Sequence, residues 1–346
     1  MNLADLNKVA LAMVTPGKGI LAADESSGTI KKRFDAISVE STEETRRDYR
    51  EMLFRSQEAM SKYVSGVILY DETIWQNAKD GTPLVKLIEQ SGAIPGIKVD
   101  EGTQGLPGCP GELITAGLDK LAERLKKYYE RGARFAKWRA VIDIGHGTDG
   151  RNIPSMTAIH VNAHALARYA ALCQQAQIVP IVEPEVLMDG DHDIDRCFEV
   201  TQRVLNKTFQ ELRIQRVALE GMILKPNMAI AGKKSPKPSP VEEVAEKTIL
   251  LLKSCVPAAV PGIAFLSGGQ SDEDATAHLN AMNRIGGLPW RLTFSYGRAL
   301  QAAPQKAWSG KAENVAAGQR AFTHRARMNA LASKGEWEAG LEKKVA

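Results

Sequence analysis

Residues 220 to 227 read Glu220-Gly-Met-Ile-Leu-Lys225-Pro-Asn227, an apolar run that ends on a lysine with a proline directly behind it. If Met222 to Leu224 form a buried strand, the Lys225 amine at its end is partly desolvated. Burial disfavours the ammonium form, and a neutral amine attacks carbonyl carbon. A lysine whose stem packs along a core strand while its amine reaches water satisfies the same residues. The choice depends on what surrounds the run.

The run is one of eight. Gly19–Asp24, Ser65–Tyr70, Pro95–Asp100, Arg134–Arg139, Ile178–Glu185, Gly221–Asn227, Gly262–Gly269 and Pro289–Gly297 are all short apolar stretches with polar or charged ends. Helical patterns fill most of the gaps. Ser41-Thr-Glu-Glu44 reads as a capping box for a helix running to about Tyr63. Leu118 to Arg131 is periodic, with Gly132 as its stop. The stretches Ser155–Ala176, Asp193–Leu212, Val241–Cys255 and Asp272–Ile285 also read as helices.

Strands apolar on both faces that alternate with helices imply a parallel sheet covered by helices. Eight repeats imply closure, so the expected fold is α/β, a single (β/α)8 TIM barrel. The expected organisation is one barrel domain over residues 1–346, with a short helical tail from about 310 to 346. Gly232-Lys-Lys-Ser-Pro-Lys-Pro-Ser-Pro240, directly after the Lys225 run, reads as a solvated loop in preference to a mobile lid.

Composition narrows the function class. Hydrophobic residues make up 44% and charged residues 25% of the 346, ordinary for a globular protein. A net charge of +4 suits anionic small substrates and is far from the concentrated basicity of a nucleic-acid binder. Cys109, Cys173, Cys197 and Cys255 are scattered, which favours free thiols in a reducing compartment over disulfides or a structural zinc. Met1 to Lys18 lacks a signal-peptide core, and no stretch approaches a membrane span. The expectation is a cytoplasmic protein with neither a membrane nor a nucleic-acid partner.

In such a barrel the active site forms where the C-terminal ends of the strands converge. Those ends carry Asp24, Lys98, Lys137, Arg139, Glu183, Glu185, Lys225, Ser267, Ser295 and Arg298. Lys137 with Arg139, and Glu183 with Glu185, are two residues apart and so share a strand face. So many charges fit inside only if they compensate one another around a polar site. A salt-bridge network closing the barrel would use the same residue types. Lys225 is the candidate nucleophile, and Lys137 a second cation able to depress its pKa and to hold a substrate hydroxyl. Glu183 and Asp24 are carboxylates placed to move protons. Ser267-Gly268-Gly269-Gln-Ser271, together with Gly297-Arg298, falls where such barrels bind phosphate. Lys98, Arg139 and Arg33 are cations enough for a second phosphate.

The segments Gly19-Ile-Leu-Ala-Ala-Asp24-Glu-Ser26, Gly96-Ile-Lys98-Val-Asp100, Phe135-Ala-Lys137-Trp-Arg139, Ile181-Val-Glu183-Pro-Glu185, Leu224-Lys225-Pro-Asn227, Phe265-Leu-Ser267-Gly-Gly-Gln270 and Leu292-Thr-Phe-Ser295-Tyr-Gly-Arg298 resemble the class I (Schiff-base) fructose-bisphosphate aldolases, in order and spacing, across roughly residues 1–310. The resemblance implies reversible cleavage of fructose 1,6-bisphosphate to dihydroxyacetone phosphate and glyceraldehyde 3-phosphate, without metal or cofactor. It implies an imine at Lys225, acid/base work by Glu183 with Lys137 alongside, and Asp24 as orienting group, the base lying between Asp24 and Glu183. Ser267, Gly268, Gly269, Ser295, Gly297 and Arg298 would take the C1 phosphate. Arg33, Lys98 and Thr29, which replaces a serine, would take the C6 phosphate, with Arg139 and Glu185 lining the substrate. A homotetramer is implied as well.

Two departures stand out. The animal and plant members end in a tail with a terminal tyrosine that assists proton exchange, and no tyrosine follows Tyr296 here. Glu101 stands where a basic residue is usual. Three other readings compete: a metal-dependent aldolase, a transaldolase-like Schiff-base lyase, and a silent scaffold. Of the six histidines, His160 and His164 are i, i+4 on an expected helix but show no nearby third ligand, and His146 falls in a Gly-rich loop.

Overall fold

The computed structural model describes residues 2–343; Met1 and the final three residues of the expected tail, with the C-terminus itself, lie outside them. Eight strands, β1 (Gly19–Ala23), β2 (Val64–Leu69), β3 (Ile94–Lys98), β4 (Phe135–Ile142), β5 (Val179–Val186), β6 (Ile223–Leu224), β7 (Gly262–Phe265) and β8 (Arg291–Tyr296), form a closed barrel. Each pairs in parallel with its sequence neighbours, and β1 closes on β8 with Ile20 opposite Ser295. All eight expected runs become strands of this barrel.

The helices are α1 (Leu3–Met13), α2 (Ser27–Asp35), α3 (Glu43–Phe54), α4 (Gln57–Lys62), α5 (Asp71–Trp75), α6 (Leu84–Gln90), α7 (Leu121–Arg131), α8 (Met156–Gln175), α9 (Ile194–Ile214), α10 (Val241–Cys255), α11 (Asp272–Ile285), α12 (Arg298–Trp308) and α13 (Val315–Ala332). Short ladders pair Thr103–Gly105 with Leu113–Thr115 and Gly145–His146 with Asn152–Ile153.

The chain changes character along each strand's inner face. Ile20, Ala22, Phe135, Val179, Ile181, Ile223 and Ala264 fill the lower barrel in one apolar cluster, and α1 plugs that end with Leu6, Ala10 and Met13. Two residues further along the same strands come Asp24, Lys137, Glu183 and Lys225, facing an open cavity at the other end. The pleat keeps alternate residues on one face, so the switch from apolar to charged is written along single strands. Glycine makes room for the fill. A Cβ on Gly96 would stand 2.2 Å from the Phe135 ring.

Several boundaries differ from expectation for local reasons. Only Ile223 and Leu224 are paired in the Lys225 run, because a tight 3-10 turn at Leu219–Gly221 precedes them and Pro226 has no N–H to donate. The capping box sits one residue later than the sequence pattern places it, with Thr42 and Thr45 capping each other's backbone N–H groups. The helix expected to reach Tyr63 breaks into α3 and α4 where Ser56 Oγ donates to the Met52 carbonyl. α7 starts at Leu121 because Lys120 adopts φ +55, and Gly132 ends it at φ +117. Beyond Ser309, α13 is no loose tail: Phe322, Ala326 and Asn329 are buried, and Asn329 Oδ1 accepts from Thr276 of α11. The Lys/Pro-rich loop is tied at its start by Lys233 and Lys234 N–H bonds to the carbonyls of Met188 and Gly190, and is mostly exposed after that.

Candidate functional site

A cavity of about 770 Å³ opens at the C-terminal end of the barrel. Three of its residues are almost wholly buried charges: Lys225 and Lys137 at 4% exposed and Glu183 at 3%. The β5–β6 register pairs Leu224 with Val182, which sets Lys225 against Glu183. Their side chains meet with Nζ to Oε1 at 3.0 Å. Lys98 and Lys137 are register partners on β3 and β4.

Lys137 is surrounded by acid. Its Nζ lies 2.7 Å from Asp24 Oδ2, 3.5 Å from Glu183 Oε2 and 3.8 Å from Asp100 Oδ2. Burial pushes the Lys137 ammonium down, but Asp24, Glu183 and Asp100 carry it well above the ordinary lysine value. Burial likewise pushes the Asp24 carboxyl up, yet Lys137 and Lys225 pull harder and hold it at about 2. The sequence alone offers Lys137 as a bare cation beside Lys225; in the structure its charge is taken up by three carboxylates.

Further out, Arg139 pairs through Nε with Glu185, and burial's downward push on its guanidinium is overcome by that carboxylate. Lys98 Nζ is 2.7 Å from Asp100 Oδ1. α2, which has no counterpart among the expected helices, starts at its Ser26 cap and presents Thr29 and Arg33 one turn apart to the cavity. Arg33 is held 2.5 Å from Glu25 Oε1.

The far side is built from β7, β8 and the start of α12. Ser267, Gly268, Ser295, Gly297 and Arg298 all line the cavity. Among the described residues, Ser295 Oγ is buried with no hydrogen-bond partner. Arg298 donates to the Gln270 carbonyl and, at 3.5 Å, to the Gly268 carbonyl. Gly269 is the exception among the expected residues. Its N–H donates to Met188 Sδ at 3.1 Å and the Lys233 stem packs over it, so it does not face the cavity.

Two buried carboxylates, Asp100 and Glu25, stand within the family-like segments yet carry no expected role. Asp100 follows Lys98 by two residues, the same spacing that singles out the Lys137 and Glu183 pairs. Glu25 points away from Asp24 toward Arg33 and accepts from Gln301 Nε2 at 2.7 Å, a contact no local pattern reveals.

His160 and His164 do meet a third group: Glu211 of α9 stands 3.4 and 3.1 Å from their Nδ1 atoms. Its carboxylate is shared with Lys207 at 3.0 Å, and among the described residues no cluster of His, Cys, Asp and Glu is arranged to hold a metal ion. His146 is exposed in its short ladder and lies outside the cavity lining. Glu101 is exposed at the rim, 3.4 Å from Arg124. The four cysteines are free thiols.

Residues 5–346 match the family described as "Fructose-bisphosphate aldolase class-I". The chain is similar to the "Probable fructose-bisphosphate aldolase class 1" of Xanthomonas campestris pv. campestris, 56% identical over 98% of this chain and 100% of that protein. It is also 54% identical to the cytosolic fructose-bisphosphate aldolase 4 of Arabidopsis thaliana, over 95% of this chain and 82% of the other. In structure it resembles the fructose-bisphosphate aldolase of Plasmodium falciparum solved with TRAP and an inhibitor. The TM-score is 0.94 at 48% identity, covering 98% of this chain and 96% of that one.

Proposed function

The chain belongs to the class I fructose-bisphosphate aldolase family, and from that premise we propose that Lys225 is the lysine that forms the imine. Members of this family are metal-independent lyases of glycolysis, and cleavage of fructose 1,6-bisphosphate through a Schiff base is the activity of this chain. The cavity residues divide that chemistry among themselves.

Lys225 attacks the C2 ketone, and Glu183, 3.0 Å away, carries protons to and from the carbinolamine oxygen as water leaves. The protonated imine accepts the electron pair when the C3–C4 bond breaks, and the C4 hydroxyl proton must then be taken up. Asp24 is taken up by Lys137 at 2.7 Å, whereas Glu183 stands beside Lys225 where the substrate is bound, which favours Glu183 as the cleavage base. Asp24 fixes Lys137 instead, and Lys137, permanently charged, donates to the substrate hydroxyls. Ser267, Gly268, Ser295, Gly297 and Arg298 take the C1 phosphate. Lys98, Arg33 and Thr29 take the C6 phosphate, with Arg139 and Glu185 between. Gly269 steadies the C1 turn without touching the phosphate.

The observation that carries this reading is the 3.0 Å pairing of Lys225 with Glu183 inside a cavity with cations at both ends. We take the chain to work as one barrel domain, in a cytoplasmic homotetramer by family resemblance. The cytosolic names of the plant relatives support the location. Borohydride reduction with dihydroxyacetone phosphate in the presence of EDTA, followed by peptide mapping, tests the assignment. The expected result is one reduced adduct on Lys225 and no residual cleavage; an adduct on another lysine overturns it.

A further inference from the structure

The Ser267–Gln270 turn after β7 is held from behind by a side chain that the chemistry above does not use. Gln270 is buried, and its Oε1 lies 2.5 Å from Nδ1 of His278, on the second turn of α11. The backbone of the same residue does two more things. Its N–H closes the turn on the Ser267 carbonyl at 3.1 Å, and its own carbonyl accepts from the Arg298 guanidinium. Gln270 therefore joins three elements at one point: the end of β7, the first turn of α12, and α11.

His278 is itself 4% exposed. Burial holds its ring down at about 4 against the opposing pull of Asp274 and Glu242, so the imidazole is neutral near neutral pH. A neutral ring facing a carbonyl oxygen donates from Nδ1–H, which fixes its tautomer. Removing that donor would strand a buried amide oxygen. Gln270 would then turn to find another partner, and its backbone carbonyl would leave Arg298.

We propose that His278 is a positioning residue for the substrate's C1 phosphate, holding the Ser267–Gln270 turn and Arg298 in one arrangement through Gln270. The inference rests on the reading of that turn as the phosphate site. The ordering of the turn and of the arginine is then completed on folding and is not charged against binding. Imine formation is expected to be unaffected, because Lys225 and Glu183 are set against each other by the β5–β6 register.

The test uses the full-length enzyme and fructose 1-phosphate, which carries phosphate only at the end in question. His278→Leu removes the donor, whereas His278→Asn keeps an N–H donor close to where Nδ1 stands. His278→Leu is expected to raise KM about tenfold, the effect of one lost buried hydrogen bond, with kcat held. His278→Asn is expected to bring KM back toward the wild-type value. An unchanged KM in folded His278→Leu overturns the proposal, as does a fall in kcat and Tm at constant KM, or an Asn variant as poor as the Leu one. If His278→Leu does not fold, Gln270→Leu is read by the same criteria. Arg298→Met separates the two levels: an unmoved KM there overturns the phosphate-site reading itself. A raised KM for Arg298→Met beside a normal one for His278→Leu overturns only the role of His278.

Discussion

Lys225 Nζ and Glu183 Oε1 stand 3.0 Å apart on neighbouring strands, both nearly inaccessible to solvent, and the ladder that pairs Leu224 with Val182 is what brings them together. Neither side chain has freedom to search for the other. Backbone register, and not side-chain flexibility, sets the distance between them.

Glu183→Gln therefore keeps the shape of this pair and removes its proton. Steady-state cleavage should fall by about 10²- to 10⁴-fold in kcat, the range for loss of a general acid/base. Borohydride trapping on Lys225 should slow along with it. Near-normal kcat in this variant would move the acid/base role to Asp24.

Lys98 is assigned to the phosphate end that fructose 1-phosphate lacks. Lys98→Met should raise KM for fructose 1,6-bisphosphate by about ten- to a hundredfold, as expected for a lost charge-assisted contact. KM for fructose 1-phosphate should stay put. Parallel rises for both substrates would place Lys98 elsewhere on the ligand.

Asp24 links the site to stability. Its folded pKa, about 2, lies below the unfolded value near 3.8, so its contribution is present above pH ~4 and is lost as pH falls toward 2. The shift corresponds to roughly 2 kcal/mol. Asp24→Asn also removes the nearest of the three carboxylates around the Lys137 ammonium, so the variant should be less stable than wild type at neutral pH. In urea titrations at successive pH values the gap should narrow between pH 4 and pH 2. A gap that does not change over that window would rule out the linkage.

Gly96 tests the packing at the closed end. A methyl group there would meet the Phe135 ring at 2.2 Å, so Gly96→Ala should cost about 1–3 kcal/mol in chemical denaturation. Adding Phe135→Leu should return part of that loss, because the ring is the obstacle. A neutral Gly96→Ala would show that Phe135 can move aside.

Lys225, Glu183, Lys137 and Asp24 are legible in the sequence for a single reason. A strand turns its side chains to alternate faces, so residues two apart share an environment wherever the strand lies. The apolar-to-charged switch from Ile181 to Glu183, or from Phe135 to Lys137, can be read without knowing any neighbour. The same local logic gives Gly132 its helix-ending role. It fails for α2, whose mixed composition hides the face that carries Thr29 and Arg33. It fails again for Gly269, which its position in the turn assigns to the phosphate site although Met188 and Lys233 cover it.

The chain's own order of residues thus determined the strands, their direction and which end holds the charges, since these depend on periods of two and 3.6 along one backbone. Only closure of the barrel decided which charge faces which. Lys137 became a shared centre for Asp24, Glu183 and Asp100 as the ends of β1, β3 and β5 converged on it. Glu25 met Gln301, 276 residues further along, because α12 packs there. Such pairings depend on distances between segments that are far apart in sequence, and those distances come into being only when the core is formed.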